Sequence, residues 1–203
     1  MMHRNLADSQ QGYKPAFFTE CEWAFVLAVC DRLIPSDSTG PGAIELGVPE
    51  FVDRHMQTPY AAGAIWYREG PFFEAGPEFG YQGKLSLREI LRTGIAATNG
   101  YCQDHYNRAL FAQLRHAEQE GVLRKLEHGD IQFVSVSATH FFSYLLAEVR
   151  TGYFADPIHG GNRDMASWKM IGYPGLRRDY REWISVRDRA YSLGPVDLSS
   201  YEG

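Results

Sequence analysis

The stretch "FFTECEWAFVLAVCDRLIP", residues 17–35, limits what this chain can become more than any other. It opens with a capping box, Thr19 followed three residues later by Glu22, which satisfies backbone N–H groups left free at a helix start. Phe18 and Trp23 are spaced for a hydrophobic staple across that cap. Trp23, Val26, Leu27, Cys30, Leu33 and Ile34 then recur at the spacing of one helix face. Ala24, Phe25, Ala28 and Val29 make the other side apolar as well, so the helix needs neighbours on most sides. Pro35 ends it. Such a helix has to lie inside a cluster of other elements.

The other elements read as helices too. In "SATHFFSYLLAEVRTGYF", Ala138, Phe141, Phe142, Leu145, Leu146 and Val149 follow helical spacing, with Thr151 and Gly152 as the stop. Ser86 and Glu89 form a second capping box before Leu87, Leu91, Ile95, Thr98 and Cys102, on a helix reaching about residue 107. Gly94 and Gly100 weaken it by roughly 1 kcal/mol each relative to Ala. A further helix is predicted over 117–126, stopped by Gly129, with shorter pieces near 61–68 and within 36–56, where Gly47 reads as a C-terminal stop and Pro49 as a first-turn proline. No segment alternates like a half-buried strand. The expected class is all-α: a single irregular helical domain over 17–175 with long ordered loops. A flexible segment, 1–16, precedes it. An extended C-terminal tail, 176–203, follows and packs on the domain or on a partner.

Of the 203 residues, 44% are hydrophobic, enough for a sizeable core, and the net charge of −5 argues against a general nucleic-acid binder. No apolar run reaches the ~18 residues of a membrane span. The opening "MMHRNLADSQQGYKP" lacks the apolar core of a signal peptide. Nucleophile elbow, phosphate-loop and dinucleotide-binding patterns are all missing. None of the seven histidines follows a Glu by three residues, as a di-iron helix pair would require. His105, His116 and His140 read as surface, packed or capping residues, and Asp53, Arg54 and His55 as a solvated helix face. Cys21 and Cys30, nine residues apart on one helix, are too distant to bridge each other. Either all three cysteines are buried free thiols, or one of the pair bridges Cys102.

The segment "DPIHGGNRDMASWKMIGYPG" fits none of these categories. Its Gly160, Gly161 and Asn162 favour a left-handed turn. Met165, Trp168, Met170, Ile171 and Tyr173 are too apolar for a solvated loop, and such side chains are common at protein interfaces. Beyond it the tail interleaves Arg177, Arg178, Arg181, Arg187 and Arg189 with Tyr180, Trp183, Ile184 and Tyr191.

Three stretches, "FFTECEWAFVLAVCDRLIPSD", "GAIELGVPEFVDRHM" and "FFSYLLAEVRTGYFADPIHGGNRDMASWKMIGYPG", resemble the gluconate 2-dehydrogenase subunit 3 family. The resemblance implies a non-catalytic small subunit with no cofactor or metal of its own. Its implied partner is a large FAD-dependent dehydrogenase subunit of the glucose-methanol-choline type, oxidising a sugar, sugar acid or glycoside. An iron–sulfur cluster in that partner and haem c in a cytochrome c subunit belong to the same picture, as does a periplasmic location. The family often supplies a twin-arginine export signal, and no Arg-Arg leader precedes this domain. The expected partner interface is His159, Gly160, Gly161, Asn162, Arg163, Asp164, Trp168, Met170, Ile171, Tyr173 and Pro174. Any disulfide to the partner would have to use Cys21, Cys30 or Cys102. The competing reading is an independent enzyme or cofactor binder using His159, Asn162, Arg163 and Asp164.

Overall fold

The computed structural model describes residues 12–65, 68–73, 76–189 and 191–201. Six α-helices occur among them: α1 (Glu20–Leu33), α2 (Val48–Met56), α3 (Leu87–His105), α4 (His116–His128), α5 (Ala138–Phe154) and α6 (Ala166–Ile171). No strand occurs among the described residues, and the all-α expectation holds. The predicted helix near 61–68 does not form over its described part. Residues 59–65 make successive turns, while Trp66 and Tyr67 lie outside the described residues, as do 1–11 of the N-terminal segment.

Helix α5 touches α1, α2, α3, α4 and α6, and α1 packs against α2, α3, α4 and α5. Thr19 and Glu22 close the capping box, with the Glu22 carboxylate accepting from Thr19 N–H at 2.9 Å. Phe25, Val26, Ala28, Val29 and Cys30 are buried, but Cys21 and Ala24 face solvent, so one narrow side of the helix stays open. All three cysteines are free thiols: Cys30 and Cys102 are buried, and Cys21, contrary to a wholly buried set, is exposed. Burial pushes the Cys102 thiol up to about 11, which keeps it protonated and unreactive.

Two glycines that read as helix breakers turn out to be contact points. A β-carbon on Gly94 would lie 2.1 Å from the Phe141 ring, so α3 and α5 approach each other through that glycine. Helix α5 does not stop at Gly152 but continues to Phe154. A β-carbon on Gly152 would sit 2.7 Å from Phe51 of α2. Here the absence of a side chain permits close packing, which outweighs the helix-propensity cost.

Asp53 is not part of a solvated face. It is fully buried, and its carboxylate accepts four hydrogen bonds from the segment before α1. Tyr13 Oη and Ala16 N–H donate to Oδ2, both at 2.8 Å, and Phe17 and Phe18 N–H donate to Oδ1, both at 3.0 Å. Burial, then the Asp53 carboxylate, raises the Tyr13 phenol to about 12, so it stays a donor at physiological pH. Asp53→Asn turns an N–H₂ group toward two of these donors and is expected to cost roughly 2 kcal/mol. A wild-type denaturation midpoint for that variant would contradict the role.

Candidate functional site

The 156–175 segment is a clasp over the ends of α2 and α5. It is not wholly extended: one-turn 3₁₀ helices at Pro157–His159 and Arg163–Met165 lead into the short α6. Asp156 starts the first turn by accepting from Ile158 N–H at 3.1 Å, and Gly160, at φ 103°, ends it.

Asn162 is the pin of the clasp. It is fully buried in the left-handed region, with φ 47°. Its Nδ2 donates to Ala155 O at 2.9 Å, and its Oδ1 accepts from Ser167 N–H at 3.0 Å and Ser167 Oγ at 2.7 Å. These bonds tie both ends of the loop to its middle. They also hold Asp164 and Met165 at φ 57° and 55°, conformations that persist in non-glycine residues only when their surroundings over-determine them.

Gly161 serves a different purpose from the one its neighbours suggest. Its φ is not positive, unlike that of Gly160 and Asn162. Its need is space: a β-carbon there would fall 2.1 Å from the Gly152 carbonyl oxygen, so the loop backbone lies directly on α5. On the other flank, Arg163 N–H donates to Leu46 O at 3.2 Å, and the Arg163 guanidinium reaches Glu50, which is buried on α2. The arginine passes over Gly47, whose added β-carbon would lie 2.8 Å from Nε. Gly47 is left-handed at φ 75° and opens α2 rather than stopping a preceding helix.

Trp168 points inward, only 5% exposed. Its Nε1 donates to Phe154 O, the last residue of α5, at 2.9 Å. Tyr173 packs edge-on against it with ring centroids 5.1 Å apart. Of the residues expected at a partner surface, Gly161, Asn162 and Trp168 are thus buried within this chain. Gly160, Arg163 and Pro174 are half-buried. His159, Asp164, Met170, Ile171 and Tyr173 are exposed, with Ile171 at 56%. The tail returns to the clasp: Leu176 N–H donates to Val196 O at 2.7 Å, and Leu198 N–H to Asp156 Oδ2 at 2.9 Å.

Sequence reasoning also missed a histidine–carboxylate pair beneath the clasp. His55 Nδ1 lies 2.7 Å from Oε2 of Glu148, a buried residue of α5 that is 93 positions away in sequence. The hydrogen bond to Glu148 raises the His55 pKa against the opposing effect of partial burial, and the carboxylate's charge adds to the rise. A raised folded-state pKa gives stability that is complete below the unfolded value of about 6.5 and is lost as pH climbs through the folded value. The wild-type denaturation midpoint should therefore fall across that alkaline-going window, and His55→Gln should flatten the fall. An equally steep fall in the variant would assign it to other groups.

Of the four residues in the competing enzyme reading, the Asn162 amide is hydrogen-bonded within the chain and Arg163 is paired with Glu50, while His159 and Asp164 are exposed. No group of three or more His, Cys, Asp or Glu side chains is placed to hold a metal among the described residues. No helix among them is long and apolar enough to cross a membrane.

The arrangement defines a small helical domain closed by a glycine- and aromatic-rich clasp with an apolar outer rim. The gluconate 2-dehydrogenase subunit 3 family model matches residues 20–175, from the first residue of α1 to the end of the clasp, and the chain belongs to that family. The family's name describes a subunit of a dehydrogenase rather than a free-standing enzyme. No curated protein and no solved structure matches the chain.

Proposed function

We propose that the chain is a non-catalytic small subunit that binds and stabilises the flavin-bearing large subunit of a dehydrogenase for sugars, sugar acids or glycosides. The family match carries this reading. The rim of the clasp supports it. Ile158, Met170, Ile171 and Tyr173 of the clasp are exposed, as are Leu176, Ile184 and Leu193 of the tail, and large apolar side chains left in water in such numbers suit a partner surface. In this reading FAD, and any iron–sulfur cluster, sits in a large subunit of the glucose-methanol-choline type. A cytochrome c subunit carries haem c, and the complex works in the periplasm. The small subunit also assists maturation or export of the large one.

The buried half of the clasp then acts as a spring-board. Asn162, Gly161 and Trp168 fix the loop against α5, and the exposed half meets the partner without an ordering cost at binding. Purified from its native host through an affinity tag, the chain should bring down a larger polypeptide in fixed ratio, with flavin absorbance in the eluate. A tagged chain recovered alone, monodisperse and without flavin would contradict the proposal.

A further inference from the structure

Between the last turn of α2 and the Pro157–His159 turn lies a cavity of about 220 Å³ lined by Phe51, Arg54, His55, Thr58, Ile158 and His159. Its composition is one-sided. Arg54, His55 and His159 supply nitrogen donors, Phe51 and Ile158 supply apolar walls, and no carboxylate lines it.

Four acidic groups on the elements that flank it are engaged elsewhere. Glu148 holds His55 Nδ1 from behind, Asp53 holds the segment before α1, and Glu50 is paired with Arg163. Asp156 accepts from Ile158 N–H and Leu198 N–H. The carbonyls closing α2 are also satisfied: Arg54 O accepts from Gln57 N–H at 3.1 Å, and His55 O from Thr58 N–H at 3.0 Å and Thr58 Oγ1 at 2.7 Å. No carboxylate lies within ion-pair distance of Arg54 among the described residues, although its guanidinium carbon stands 5.8 Å from the centre of the Tyr13 ring. That guanidinium is exposed beside Tyr13 at the mouth of a half-apolar hole.

The His55 ring is also fixed in place. Glu148 takes Nδ1, Tyr60 stacks on the ring at 5.5 Å with 12° between planes, and Phe51 flanks it at 5.5 Å. With Nδ1 occupied, Nε2 is the nitrogen left for a ligand.

From this geometry we infer that the cavity binds a small carboxylate. The Arg54 fork takes its two oxygens, His55 Nε2 and His159 hydrogen-bond its body, and Phe51 and Ile158 pack on its carbon chain. Arginine recognises a planar carboxylate through two parallel hydrogen bonds, which a single guanidinium can supply. A phosphate dianion would call for more positive charge than one fixed cation. The volume falls below the ~300–1,000 Å³ of sites for larger ligands, so the ligand is short. The cavity shares Ile158 and His159 with the clasp, but the subunit role is read by recovery of the flavoprotein, so a failure of ligand binding here would leave that role untouched.

The test follows the histidine imidazoles of the isotope-labelled full chain, alone or bound to unlabelled partner, during titration with gluconate, inorganic phosphate and glucose. Gluconate should shift the His55 and His159 signals saturably, and glucose should not. Arg54→Gln should weaken the gluconate response at least tenfold. Ile158→Glu, a change at an exposed position that brings a tethered carboxylate to Arg54, should abolish it while leaving thermal stability near wild type. Equal responses to phosphate and gluconate, an unchanged response in Arg54→Gln, or no saturable shift would each overturn the assignment.

Discussion

Replacing Trp168 with alanine is expected to lower the stability of this chain by about 3–5 kcal/mol, the range for emptying a buried aromatic site. The ring is 5% exposed, sits under Tyr173 and fills the space between α6 and the end of α5. Its N–H also satisfies the carbonyl of Phe154, one of the last carbonyls of α5, which have no partner inside the helix. For a chain of this size, a loss of that order lowers the melting temperature by roughly 10 °C. Trp168→Phe keeps most of the volume and loses only the hydrogen bond, so it should cost about 1 kcal/mol. A Trp168→Ala protein melting with the wild type would mean that the indole does not hold the clasp. Any loss of partner binding in Trp168→Ala would follow from a loosened loop, because the indole itself offers little surface.

The second large effect is expected at Gly161, and a control separates its cause from ordinary glycine strain. Alanine at 161 drives a methyl group to 2.1 Å from the Gly152 carbonyl oxygen and 2.9 Å from its carbon, both backbone atoms that no rotamer change can move. The loop has to lift off α5, taking the Asn162 hydrogen bonds with it. We expect a loss of about 3 kcal/mol or more, at the upper end of overpacking costs. Gly172 is the opposite case: its φ is 68°, yet nothing lies within 4 Å of an added β-carbon. Alanine there should cost only the left-handed penalty of roughly 1 kcal/mol. Thermal melts of the two variants should differ by several degrees. Equal melts would mean that the loop does not rest on Gly152.

What the sequence made legible was local. The capping boxes at Thr19 and Ser86, the periodic faces of α1, α3 and α5, and the left-handed stop at Gly129 all depend on residues within a few positions of one another. What stayed hidden joins distant parts of the chain. Asp53 looked like a surface acid beside Arg54 and His55, because nothing near it in sequence shows that the backbone at 16–18 ends on its carboxylate. His55 and Glu148, 93 residues apart, could not be paired by spacing. Gly94 and Gly152 read as weak points because propensity reports on a helix alone, whereas their value lies in the ring packed against each. The clasp was recognised as a unit, but its division into a buried face and an exposed rim needed the position of α5.

The rim is where the subunit proposal meets its most direct measurement. Ile171 is 56% exposed at the end of α6, so Ile171→Asp should leave the melting temperature of the chain near wild type. If the rim packs into the core of a partner interface, the same change buries an unpaired carboxylate there. Recovery of the large flavoprotein on the tagged variant should then fall at least tenfold, and eluate flavin absorbance should fall with it. Undiminished recovery of the flavoprotein on folded Ile171→Asp would contradict the rim as the partner surface.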